Sequence, residues 1–335
     1  MKAVRIHEYG GRDVLRYEDA PQPQPSDDEV LIRVHAASVN PVDWKIREGH
    51  MKGMLPLELP ITLGCDVAGT IEAVGGNVKS LQGGDEVFGY VSLMKNGTYA
   101  EFATAKESEV ALKPTSLDFV QAAAVPVGAL TSWQAIFDAA NLRGGQKILI
   151  HAAAGGVGAF AVQLAKAKGA FVIATASGKN EDLVRELGAD EFVDYTTVRF
   201  EDVAKDVDVV FDTIGGETQA RSFATLKRGG FLVSIVQPPS PEAAAKHGVQ
   251  ATMISVQPNA EQLRDVAELI DAGRVKVTVE TVLPLSETKK AHELSESGRT
   301  RGKIVLQIRI NGTTKHPHQR NEQDRITNIT GGIAR

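Results

Sequence analysis

Gly155, Gly156 and Gly158 stand in Lys147–Gly158, KILIHAAAGGVG, directly after the apolar run Ile148-Leu149-Ile150. Such a run suits a buried parallel strand. Glycines after it let the backbone approach a pyrophosphate while the next helix turns its unsatisfied N–H groups and positive dipole end toward the phosphates. The chemistry this turn supports is retention of a dinucleotide. The next apolar strand, Phe171-Val172-Ile173-Ala174, ends in a second clue. A site for a ribose 2′-hydroxyl carries Asp or Glu there, about 20 residues after the glycine turn. This chain has Thr175-Ala176-Ser177-Gly178-Lys179. No carboxylate is expected to repel a 2′-phosphate, and Ser177 and Lys179 are suited to bond one. The cofactor expected is NADPH. No Ser/His/Asp or Cys/His constellation is evident in the linear order.

The elements that position these residues alternate. Strand, glycine turn and helix (Ala159 to Lys168) are followed by the strand at 171–174, a helical stretch Glu181 to Leu187, an apolar run Val207 to Phe211, a helical stretch Glu217 to Leu226 and a strand Gly230 to Ile235. That order predicts a doubly wound parallel sheet in an α/β fold. Before residue 124 the chain is mostly β, with short alternating runs such as Val30–Val34 and Gly69–Val74 separated by Pro and Gly turns. A helix over Ala129 to Ala139 leads into the α/β unit. After it come a helix (Glu261 to Ala272), a strand (Val275 to Leu283), a helix (Ser286 to Leu294) and a last strand (Lys303 to Arg309). The expected division is a β-rich domain over 1–124 completed by 260–310, a nucleotide-binding domain over 125–259, and a polar, poorly ordered tail over 311–335.

The chain has 335 residues, 42% hydrophobic and 24% charged, with a formal charge of −5. That is an ordinary globular composition of a length natural for two domains. No basic cluster points to nucleic acid, and no run approaches membrane-spanning length. The single cysteine, Cys65, excludes an internal disulfide, and with no signal-peptide pattern the expected compartment is the cytoplasm. The glycosylation sequons at Asn311 and Asn328 read as chance, and His316 and His318 as solvated.

The motifs SVNPVDWKIREG (38–49), LGCDVAGTIEAVG (63–75), GDEVFGY (84–90), GTYAEF (97–102), AAGGVG (153–158), LGADEFVDY (187–195) and RGKIVL (301–306) together resemble the medium-chain dehydrogenase/reductase superfamily over about residues 1 to 309. Within it the chain is similar to the zinc-free quinone oxidoreductase branch, most of all to the alkenal/one (enone) oxidoreductases. The resemblance implies a GroES-like β-rich catalytic domain with a Rossmann domain inserted and the active site in the cleft between them. Zinc-containing relatives carry a Cys at the position of Asn40 and a His-Glu pair at Cys65-Asp66, so both departures remove ligands, and one cysteine cannot supply a structural site. No metal is expected. The first glycine of the family's turn is replaced here by Ala152.

The same resemblance places Gly156 and Val157 on the pyrophosphate, Tyr195 in the 2′-phosphate pocket and Thr131 against the nicotinamide. It sets Ile235, Ser255, Val256, Gln257, Gly302 and Lys303 near the nicotinamide end or its ribose. Lys45 stands where enone oxidoreductases carry lysine, with two readings open: polarising a substrate carbonyl, or touching the cofactor ribose. Asn40 and Asp43 either fix the loop and the ribose or serve as turn and cap residues. The expected activity is NADPH-dependent reduction of the C=C bond of enones and alkenals, or of quinones, by a homodimer. A non-catalytic NADPH-binding protein and a zinc-independent alcohol dehydrogenase are the alternatives.

Overall fold

The computed structural model describes residues 1–309; the expectations for the tail, its sequons and its histidines lie outside them. The glycine turn leaves the centre of a six-stranded parallel sheet. Its spatial order is Glu191–Asp194, Phe171–Ala176, Lys147–Ile150, Val207–Asp212, Leu226–Ser234, Gln250–Met253. Numbered by sequence this order is 3-2-1-4-5-6, the doubly wound arrangement with its ligand crevice at the carboxyl ends where the order reverses. After exposed Lys147 the central strand is apolar because helices cover both its faces: Ile148, Leu149 and Ile150 are all at 0% exposure. Helix α1 is Pro41–Arg47, α2 Phe119–Ala123, α3 Pro126–Trp133 and α4 Gly158–Ala167. Helix α4 packs on α3 through Phe160 and Gly128, and every residue from Gly158 to Leu164 is buried.

The first part of the chain forms a largely antiparallel sheet around the long strand Glu29–Val39. Its early half lies between Asp66–Val74 and Phe102–Lys106, and its late half pairs with Lys303–Gln307, Ile304 opposite Val39. The last strand thus returns to the β-rich domain and brings Lys303 beside Asn40. A smaller three-stranded sheet, Arg16–Asp19, Lys2–Ile6 and Ile61–Thr62, flanks it. The fold class read from the sequence, a GroES-like β domain joined to a Rossmann α/β domain, is the one observed.

Local departures have local causes. The helix expected over 129–139 runs regularly from Pro126 to Trp133 and then widens into a π-helical turn over Gln134–Ala139. Gln134 is drawn to another segment there: its side chain donates to the Gln257 carbonyl at 2.8 Å and accepts from the Gln257 N–H at 2.9 Å. The strand expected from Val275 begins only at Val279. The backbone of Lys276 is bonded instead by the Gln163 side chain of α4, at 2.7 and 3.0 Å. The helix expected to reach Leu226 stops at Ser222, and the strand after it starts at Leu226 rather than Gly230.

Candidate active site

The phosphate turn is built from backbone. Ala152 sits at φ +48°, left-handed backbone that glycine adopts at no cost, and its carbonyl accepts from the Gly155 N–H at 2.9 Å. A Cβ on Gly158 would lie 2.3 Å from that same carbonyl oxygen, so this position must be glycine for α4 to start where it does. A Cβ on Gly128 would lie 2.4 Å from the Gly156 carbonyl. Gly302 donates to the Ala154 carbonyl at 2.9 Å, and the aliphatic stem of Lys303 lies over Gly156, 2.8 Å from where a Cβ would sit. Gly155, Gly156 and Val157 are half-buried at the head of α4, whose first amides and dipole favour an anion.

Ser177, Gly178, Lys179 and Tyr195 come together on one rim. Ser177 and the short turn Gly178–Asn180 follow the strand end at Ala176, and Tyr195, 60% exposed, donates its N–H to the Ala176 carbonyl at 3.3 Å. Lys179 is exposed and forms no ion pair among the described residues. The expectation of a rim without a carboxylate needs correcting. Asp194, at the end of the neighbouring strand, lies level with Ala176, and its Oδ2 stands 2.6 Å from where a Cβ on Gly178 would be. Only one of the two strand ends that make the rim lies next to the glycine turn in the sequence.

Beneath the crevice lies a polar floor that the sequence did not reveal. His151 is buried, with its ring nitrogens on Thr175 Oγ1 at 3.1 Å and Ser222 Oγ at 2.9 Å, and burial pushes its pKa down to about 4, so it is neutral. Buried Asp212 accepts from the Ile214 and Gly215 amides, Gln219 Nε2 and Ser234 Oγ at 2.8–3.0 Å. The Asp212 carbonyl then accepts from Ile235 N–H at 3.2 Å, which fixes the strand end expected to face the nicotinamide. Val256 is half-buried and Ser255 and Gln257 are exposed on the segment that Gln134 holds.

Across the turn, the β-rich domain contributes a buried polar cluster. Asp66 accepts from Ser38 Oγ at 2.5 Å, Asn40 Nδ2 at 2.8 Å, the Val127 amide at 2.8 Å and Lys303 Nζ at 3.3 Å. Lys303 also donates to Asn40 Oδ1 at 2.5 Å, and its side chain is only 5% exposed. Through the Val127 amide, Asp66 fixes the start of α3, the helix that carries buried Thr131. Asp43 takes the cap role: wholly buried, it accepts from the Asn40 N–H and from Tyr99 OH, both at 2.7 Å. Burial pushes its carboxyl up to about 7, against the pull of those two bonds. Lys45 lies half-exposed on α1 with Nζ 5.7 Å from the Trp44 ring and donates to no described side chain.

This donor set does not suit a metal. Asn40, Cys65 and Asp66 do meet, with Asn40 Nδ2 3.6 Å from Cys65 Sγ, but the Lys303 ammonium already occupies the position between Asn40 and Asp66. Burial holds the Cys65 thiol well above its ordinary pKa, hence protonated. Among the described residues, no group of three or more His, Cys, Asp or Glu side chains is placed to hold an ion. No helix among them is long and apolar enough to cross a membrane.

Comparison with known proteins matches residues 26–115 to the alcohol dehydrogenase GroES-like domain and residues 187–306 to the zinc-binding dehydrogenase family. A mitochondrial NAD(P)H oxidoreductase of Mus musculus is 37% identical over 355 aligned residues, covering 92% of this chain and 89% of its own. The chain belongs to the medium-chain dehydrogenase/reductase superfamily. A 2-methylene-furan-3-one reductase of Solanum lycopersicum is 37% identical over 91% of this chain and 79% of its own. Among solved structures, the Escherichia coli quinone oxidoreductase complexed with NADPH is similar with a TM-score of 0.83 at 29% identity, over 92% of this chain and all (100%) of that one.

Proposed function

We propose that the protein is a metal-free, NADPH-dependent oxidoreductase that reduces the C=C bond of α,β-unsaturated carbonyls, or quinones, by hydride transfer. The observation that carries this reading is Lys303. Its stem covers the glycine turn while its ammonium closes the Asn40–Asp66 cluster, so a lysine cation joins the cofactor cradle to the position where the family's metal-dependent members carry ligands. The names of the mouse, tomato and bacterial relatives support the same class.

When bound, NADPH supplies the hydride; the chain binds, orients and polarises. The head of α4 with Gly155, Gly156, Val157 and Gly158 would receive the pyrophosphate, and Ser177, Gly178, Lys179 and Tyr195 the 2′-phosphate. Thr131, Ile235, Ser255, Val256, Gln257, Gly302 and Lys303 would frame the nicotinamide end. Asn40, fixed between Asp66 and Lys303, would orient the ribose, with Asp43 holding the turn from behind. Lys45 is free to swing its ammonium toward a substrate carbonyl oxygen, where it stabilises a developing enolate more than the ground state. Protein of this kind would act as a homodimer, an assembly for which the edge strand Gln250–Met253, with Met253 44% exposed, offers a pairing surface.

The test is a substrate panel of 2-alkenals, alkenones, cyclic enones and quinones with NADPH and NADH, followed by loss of nicotinamide absorbance. Turnover of at least one class with NADPH preferred is expected. Tight NADPH binding without turnover across the panel would replace the enzyme by a nucleotide-binding protein.

A further inference from the structure

The rim assigned to the 2′-phosphate is assembled by a residue that neither the glycine turn nor its own strand supplies. Asp194 ends the strand Glu191–Asp194, level with Ala176 on Phe171–Ala176. Its Oδ1 accepts from the Thr196 N–H at 3.0 Å and from Thr196 Oγ1 at 2.7 Å, and its carbonyl from the Val198 N–H at 2.9 Å, which shapes the turn bearing Tyr195. Its Oδ2 lies against Gly178, so close that any side chain at 178 would strike it at 2.6 Å. One carboxylate therefore touches both loops of the rim, the one with Ser177 and Lys179 and the one with Tyr195. Its bonds to Thr196, with help from the Gly178 amide, hold its pKa below the ordinary carboxylate value, so the charge is present at neutral pH. Among the described residues it pairs with no cation; dipoles alone face it.

We propose that Asp194 is a specificity-determining residue of the cofactor site: it clamps the two rim loops in place, and its uncompensated charge limits how strongly the rim prefers a 2′-phosphate over a 2′-hydroxyl. The inference rests on the NADPH reading above. A unit charge a few ångströms from a phosphate in water is worth about fivefold in affinity, and salt reduces it. Asp194→Asn removes the charge and keeps the acceptor that Thr196 uses, whereas Asp194→Ser keeps a shorter one.

The experiment is calorimetric titration of the full chain, wild type and both variants, with 2′,5′-ADP and with 5′-AMP at low salt, after thermal melts have shown the variants folded. In Asp194→Asn 2′,5′-ADP is expected to bind about fivefold more tightly with 5′-AMP unchanged and the gain shrinking as salt is added, whereas in Asp194→Ser, whose hydroxyl no longer reaches Gly178, the loosened rim should offset part of that gain. Unchanged or weaker binding of 2′,5′-ADP by Asp194→Asn, or an equal gain for 5′-AMP, overturns the inference. Wild-type protein that binds 2′,5′-ADP no more tightly than 5′-AMP overturns the NADPH reading itself.

Discussion

The glycine turn and the Asp66 cluster lie at the two ends of the Lys303 side chain and are made in opposite ways. The turn is contiguous and nearly without side chains: Ala152 to Gly158 present amides and carbonyls, and what matters is the room that missing Cβ atoms leave. The cluster is all side chain, drawn from Ser38, Asn40, Asp66 and Lys303 with one amide from Val127, and what matters is charge balance without water. Steric substitutions should therefore break the first and electrostatic ones the second. Lys303 belongs to both, its stem on Gly156 and its head on Asp66, so the two regions are mechanically joined.

The largest effect is expected from Lys303→Met. It leaves the Asp66 carboxylate, at 0% exposure, without its cation, and should cost about 3–5 kcal/mol in urea titrations. Adding Asp66→Asn should recover most of that loss, because the penalty lies in the unpaired charge. Gly158→Ala comes next, at about 3 kcal/mol with loss of NADPH binding, since the atom it meets is backbone and cannot rotate away. Gly155→Ala, whose nearest neighbour is 3.3 Å off, should be mild in the same melts and so sharpen the steric reading. Lys45→Ala should lower kcat/KM for enones about a hundredfold while the melting temperature stays put, because this half-exposed side chain holds nothing together.

Asp43 gives the cluster a pH signature. Its folded pKa of about 7 lies above the ordinary value of 3.8, so the native state holds a proton that the unfolded chain releases. Its contribution to stability is complete below about pH 4 and is lost as pH rises through 7, with a slope of at most about 1.4 kcal/mol per pH unit. His151, and His292 buried against the Arg47 guanidinium, have pKa values lowered by burial to about 4 and about 3 and act in the opposite sense below their unfolded value of 6.5. The stability difference between wild type and Asp43→Asn isolates the carboxyl and should fall steadily from pH 4 to 8. Ala152→Gly, the smallest change, relieves the left-handed backbone and should stabilise the turn by up to about 1 kcal/mol, part of it offset by added freedom in the unfolded chain.

The same contrast explains what could be read in the sequence. The doubly wound sheet, the glycine turn and the β-rich first part announce themselves in runs of neighbours, through apolar strands and the Gly spacing of Gly155 to Gly158. The cluster does not: Asp66 and Lys303 are 237 positions apart and meet only because Lys303–Gln307 pairs antiparallel with Glu29–Val39. In the sequence Asp66 stands out only as a missing metal ligand and Lys303 only as a neighbour of the nicotinamide end or its ribose, with nothing in the linear order to join them. Asp194 escaped for a related reason, since it reaches the rim from the adjacent strand. His151 and Asp212 escaped as well, because a polar residue at a strand end reads as loop until its partners are known.

The proposed reaction passes hydride from the nicotinamide of a dinucleotide whose pyrophosphate rests on this turn to the β-carbon of an enone beside Lys45. Turnover of an alkenone with NADPH deuterated at the transferring C4 position, followed by NMR of the saturated product, tests it directly. The account predicts one deuterium at the β-carbon and none at the α-carbon, which takes its proton afterwards from water or the protein. Deuterium at the carbonyl carbon of an allylic alcohol product, or unlabelled product, would contradict it.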